Sequence, residues 1–165
     1  DRSIWSPSSS SNYGISSVHV AAPGTNIYSC RPPREEVWSD DLEGGFNWTT
    51  GGANDFWGLT TEASRSSSHS ITDRPDEDYL PNTQSYARTP AIDLSSNSGA
   101  VLTFWFKGSS QSGDYFYVQA SDDGVNFDEI TLVIGEYQSI YWSGTQSTFA
   151  PAVADLGAYD GADSF

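Results

Sequence analysis

Residues 38–160 predict an all-β fold, an antiparallel β-sandwich. Apolar side chains alternate in twos, short strand-like runs are separated by Gly, Ser, Asn and Asp, and no stretch carries the stripe of an amphipathic helix. Strands are expected first near residues 67–72 and 86–93. In AVLTFWFKG, Leu102, Phe104 and Phe106 share one face and Thr103, Trp105 and Lys107 the other, the period of a half-buried strand. DYFYVQAS repeats it, with Phe116, Val118 and Ala120 opposite Tyr115, Tyr117 and Gln119. Asp122-Asp123-Gly124 then supplies a turn, and Ile130, Leu132 and Ile134 alternate beyond it, so 114–134 reads as one hairpin. Two further strands are expected at 138–143 and 147–155. Each large side chain on an inner face contributes roughly 1.5 to 3 kcal/mol by burial, enough to hold one domain without cross-links.

Charge divides the chain. Before residue 37 the basic Arg2, Arg31 and Arg34 balance the acidic Asp1, Glu35 and Glu36, so the whole net charge of −15 lies beyond that point. Arg31-Pro32-Pro33-Arg34-Glu35-Glu36 joins a Pro-Pro pair to a charge cluster, which favours an extended, solvated linker. Two segments follow, 1–36 and 37–165. The acidity repels nucleic acid and anionic membrane surfaces and favours cations, above all Ca²⁺. A single cysteine, Cys30, permits no internal disulfide, and no apolar run reaches the length of a membrane span. With no signal peptide and room for little more than one domain, the chain is expected to be an interior piece of a longer protein.

Asp1-Arg2-Ser3, Ser11-Asn12-Tyr13-Gly14 and Val18-His19-Val20-Ala21-Ala22-Pro23-Gly24, followed by Asn26-Ile27-Tyr28-Ser29, resemble the segment of subtilisin-like serine proteases that leads to the catalytic serine. The resemblance spans residues 1–29. It implies a short fragment of an α/β catalytic domain, whose next element would be a Gly-Thr-Ser-Met-Ala sequence carrying the nucleophile. That sequence does not follow Ser29, and His19 stands where the family usually has Asp. His69 lies between Ser68 and Ser70, but neighbours on a strand point to opposite faces, so it is read as a surface histidine.

From Trp38 onward a second resemblance begins. Trp38-Ser39-Asp40-Asp41-Leu42-Glu43-Gly44-Gly45 with Trp48, then Ser70-Ile71-Thr72-Asp73-Arg74-Pro75, Thr89-Pro90-Ala91-Ile92-Asp93-Leu94-Ser95, Leu102-Thr103-Phe104-Trp105, Ser121-Asp122-Asp123-Gly124 and Asp155-Leu156-Gly157-Ala158-Tyr159 occur in order. The series is similar to the MAM-like jelly-roll accessory domains of secreted bacterial peptidases. It implies a jelly roll over 37–165, extracellular in location and either cut short at its C-terminal end or completed by residues outside this chain.

A calcium ion needs six to eight oxygens. Asp41 and Glu43, at the start of the jelly roll where related domains often hold an ion, Asp73 and Asp78 with Asp76 and Asn82, and Asp114 are the candidate ligands, weighed against solvated turn carboxylates. Neither cluster has EF-hand spacing, and two His with one Cys make no zinc set. Trp105, Tyr115 and Tyr117, opposite the expected core, are candidates for stacking on a sugar or a protein partner, weighed against plain packing area. The resulting expectation is a non-catalytic jelly roll inserted into a secreted subtilisin-like endopeptidase. Its partners are the remainder of the catalytic domain and a protein substrate or glycan, and it lacks a triad of its own. The alternative is a carbohydrate- or protein-binding module without protease association.

Overall fold

The computed structural model describes residues 35–65, 67–163 and 165. The resemblance over 1–29, the Pro-Pro linker and His19 lie outside the described residues. From Glu36 the chain forms one compact unit. In chain order its strands are β1 (Thr49–Ala53), β2 (Gly58–Thr60), β3 (Ser70–Thr72), β4 (Gln84–Arg88), β5 (Val101–Ser109), β6 (Gln119–Ala120), β7 (Asp128–Glu129), β8 (Leu132–Ile134), β9 (Tyr137–Ser139) and β10 (Thr145–Asp155). A 3-10 turn follows at Gly157–Tyr159. Among the described residues there is no α-helix and every strand pairing is antiparallel, so the all-β class holds.

The largest sheet has the order β5-β10-β8-β9. Its central strand, β10, turns Ala152 and Ala154 inward, both fully buried, while Val153 between them stays exposed. Each alanine is flanked by large side chains. Ala152 lies opposite Phe104 on β5 and Ile134 on β8, and Ala154 opposite Leu102 and Leu132. Small residues on the middle strand leave room for bulky ones on both neighbours to meet above them, which is how close packing is reached. Near its start β10 shifts register between Gln146 and Ala150, an irregularity of the bulge type.

The inner face is covered by residues 116–120. Leu132, Ile134, Trp142 and Ala152 form one buried cluster with Phe104, Phe106, Phe116 and Val118 packed against it. Leu94, Ala120, Ile130, Ala154, Leu156 and Tyr159 form another, which Val118 also touches. Phe104 and Phe116 therefore face the core as expected, but as half-buried side chains around the fully buried Leu132.

The predicted hairpin over 114–134 is corrected. β6 pairs with β7, and Ile130 donates its amide to the Val118 carbonyl at 2.9 Å, so the turn-back ends there. β8 leaves it to join β10 and β9 in the large sheet. Asp123 closes the loop between β6 and β7, its Oδ1 accepting from the amides of Val125 and Asn126 at 2.8 and 2.7 Å. Ser121 Oγ donates to the same oxygen.

β1 pairs with β4, and β2 with β3. β1 was not anticipated, because TTGGA has neither β-branched bulk at its centre nor alternation. Gly52 is required by its backbone surroundings, while Gly51 lies under the Tyr86 ring. A Cβ on Gly51 would sit 2.6 Å from the Tyr86 hydroxyl, and one on Gly52, whose φ is +102°, would lie 2.1 Å from the Gln84 carbonyl oxygen. Strand β4 begins earlier than expected and ends at Arg88; beyond it Ile92 exchanges backbone hydrogen bonds with Phe165 at 2.8 and 3.0 Å, and the Leu94 amide donates to Ala162.

Truncating Leu132 removes the one large side chain among the described residues with no exposure, and cavity formation sets the cost. Leu132→Ala is expected to lose about 2 to 5 kcal/mol in urea unfolding. A loss below about 1 kcal/mol would place the centre of the core elsewhere.

Candidate functional site

The sheet face and its cover together decide which aromatic residues meet solvent. Phe116 and Trp142 are bridged by reciprocal backbone hydrogen bonds of 2.9 and 2.8 Å. Both turn inward onto Phe106, with ring centroids at 5.0 Å for Phe106–Phe116 and 4.8 Å for Phe106–Trp142. Alternation then forces the residues beside them outward. Tyr115 and Tyr141 meet edge to face at 4.7 Å, and Tyr117 lies 6.2 Å from Tyr115 and 6.3 Å from Tyr141, all three exposed. Tyr137, also exposed, donates its hydroxyl to the Tyr141 carbonyl. The result is a solvent-facing group of tyrosines beside the Phe116–Trp142 bridge. Tyr141 was missed by sequence reasoning: Ile140-Tyr141-Trp142 shows which faces alternate but not that Trp142 would be bridged to Phe116.

Trp105 does not join this group. It points away from Phe104 and Phe106, onto the outer surface of the large sheet, whereas Tyr115 and Tyr117 point away from Phe116 on the covering segment. The guanidinium of Arg65 lies 4.3 Å above the Trp105 ring. The three aromatic candidates therefore divide into a tyrosine surface and a separate tryptophan already covered by a cation.

Of the carboxylates proposed as metal ligands, Asp41, Glu43, Asp73 and Asp114 are engaged locally. Asp41 Oδ1 accepts the Glu43 amide at 3.0 Å, a local Asx-type turn. Glu43 accepts from the Ser68 and His69 amides at 2.8 and 2.9 Å and from Ser68 Oγ at 2.5 Å, with His69 Nδ1 at 3.0 Å. Asp73 accepts from Thr72 Oγ1 at 3.2 Å, and the Asp78 carbonyl accepts from Arg74 at 3.0 Å. Asp114 accepts from the Tyr79 hydroxyl at 2.6 Å, which pushes the Tyr79 pKa up. Among the described residues no three His, Cys, Asp or Glu side chains gather as a metal site.

Ser68 and His69 do meet, contrary to the expectation that they face apart. Ser68 precedes β3, and its Oγ lies 2.9 Å from His69 Nδ1. A Ser-His-carboxylate triad places serine and carboxylate at different imidazole nitrogens. Here Ser68 Oγ and Glu43 Oε2 both approach Nδ1, and the serine donates to the carboxylate. The geometry is that of a clamp joining the Glu43 loop to the start of β3.

No family model, curated protein or solved structure matched the chain. No helix among the described residues is long and apolar enough to cross a membrane.

The Glu43 carboxyl is held well below its ordinary 4.5, first by the Ser68 hydroxyl and then by His69 and the two amides. A carboxyl depressed in the folded state stabilises that state above its unfolded pKa, and this stability is lost as pH falls through the folded pKa. Urea midpoints should therefore drop on acidification below about 4.5. Glu43→Gln is expected to lower the midpoint at neutral pH and to flatten that acid limb. An acid limb as steep in Glu43→Gln as in the parent would show that the clamp does not form.

Proposed function

We propose that residues 37–165 are a non-catalytic, jelly-roll-type accessory module of a secreted subtilisin-like serine endopeptidase, binding a protein or glycan through Tyr115, Tyr117 and Tyr141. The tyrosine surface carries this reading. Aromatic side chains flanking the Phe116–Trp142 backbone bridge give large contact area at low conformational cost, with hydroxyls for orientation. The antiparallel β framework and the order of motifs from Trp38 to Tyr159 support the jelly-roll assignment, and Val18 to Gly24 supports the protease context. The closed Ser68–His69–Glu43 clamp supports a module without its own nucleophile.

Calcium enters the same proposal with a condition. Among the described residues the candidate carboxylates do not form a shell; an ion at Asp41 and Glu43, or one using Asp73, would have to displace their present hydrogen bonds. A rise in melting temperature of several degrees in millimolar Ca²⁺, exceeding that in Mg²⁺, is the expected mark of a specific site. Equal shifts would reduce the effect to screening of the −15 chain.

Titration with peptides and neutral oligosaccharides, followed by tyrosine fluorescence, tests the module. A ligand of either class whose binding weakens in Tyr117→Ala is the expected result, and no tyrosine-dependent ligand in either class would overturn it. A serine-directed fluorophosphonate should leave the chain unlabelled; stoichiometric labelling would remove the non-catalytic assignment.

A further inference from the structure

The exposed aromatic side chains fall into two sets. Phe56, Tyr86 and Trp105 lie apart from one another in the chain, and each carries an arginine on its ring: Arg74 at 5.3 Å from Phe56, Arg88 at 5.3 Å from Tyr86 and Arg65 at 4.3 Å from Trp105. Tyr115, Tyr117, Tyr137 and Tyr141 lie together, and among the described residues no cation stands over them.

The basic residues show why. Arg65, Arg74, Arg88 and Lys107 are the cations of the described residues, and each is committed to a ring, Arg88 to Phe127 at 4.2 Å as well as to Tyr86, and Lys107 to Phe149 at 6.0 Å. An aromatic face is negative at its centre and attracts a cation, most favourably a flat guanidinium that can also stack. Among the described residues the tyrosine group is the exposed aromatic area left without that complement, in a chain of net charge −15. Two carboxylates neighbour it in chain order and register, one of them, Asp114, accepting from the Tyr79 hydroxyl. Asp114 precedes Tyr115 in the chain, and Glu129 pairs with Gln119, which shares the outward face of Tyr117.

We propose that Tyr115, Tyr117 and Tyr141 form a docking site for arginine side chains of a basic protein segment, with Asp114 and Glu129 drawing its charge toward the rings. This deepens the reading of the tyrosine surface as a ligand site and rests on it. A neutral glycan fits less well. The ring planes are inclined at 59°, 68° and 60° to one another and so provide no flat platform, whereas a cation needs only a ring face and a negative surrounding field.

The test titrates the full chain with an alternating Gly-Arg hexapeptide at about 0.15 M NaCl, where the Debye length is about 8 Å and long-range attraction is damped. A neutral hexasaccharide is titrated in parallel. The Tyr115→Ala/Tyr117→Ala double variant is expected to weaken the arginine peptide about tenfold, and Tyr117→Phe, which keeps the ring, to stay within about twofold of the parent. Melting curves confirm that each variant is folded; if the double variant does not fold, Tyr141→Leu replaces it with the same expectation. Arginine-peptide binding that is absent, or equal in the parent and the alanine variant, overturns the proposal. If the hexasaccharide alone binds in a tyrosine-dependent way, the cation assignment fails and the binding module stands. If neither ligand depends on the tyrosines, both readings fail.

Discussion

The inward alanines of β10 set the terms for the rest of the structure. Ala152 and Ala154 are fully buried in the middle of the large sheet, with Phe104 and Leu102 on one side and Ile134 and Leu132 on the other. A larger side chain at either position would lift the covering segment off the sheet, and overpacking of this kind typically costs about 1 to 3 kcal/mol. Because the middle strand is small, Phe116 and Trp142 can settle against Phe106 at 5.0 and 4.8 Å, and residues 116–120 close over the face.

The tyrosine surface follows from that closure. The backbone bridge between Phe116 and Trp142 turns both rings inward, and in extended chain the flanking Tyr115, Tyr117 and Tyr141 can then only turn out. The same aromatic residues that mark the strands thus serve two purposes, one member of each pair filling the core and the next building the surface.

Carboxylates in this strongly acidic chain act mainly as partners for backbone amides. Asp123 closes the β6–β7 loop, Asp160 accepts the amides of Gly99 and Ala100 at 2.6 and 3.0 Å, and Asp93 accepts that of Ser95 at 2.9 Å. Each of these carboxyls is held below its ordinary pKa, with backbone amides foremost for Asp123 and Asp160 and the Ser95 side chain for Asp93. Hydrogen bonds to the ionised form favour it, so dispersed acids can be accommodated one turn at a time.

By itself the sequence determined the strand character of β5 and β10, the inward set Leu102, Phe104 and Phe106, and the outward direction of Trp105, Tyr115 and Tyr117. These are local consequences of the two-residue period, which any extended segment with one buried face must obey. Only the tertiary structure decided the rest. Strand β1 was hidden because Gly52 answers to its positive φ and its close approach to the Gln84 backbone rather than to strand propensity. The run from Ile130 to Ile134 keeps its alternation yet divides between two pairings, since a periodic pattern names a face and not a partner. For the same reason Trp105 and the tyrosines were grouped by their shared outward direction but lie on different surfaces, and Tyr141 joined Tyr115 only through a bridge between residues far apart in the chain. Periodicity is a property of neighbouring residues. Pairing and packing are choices among distant ones, made by which faces fit.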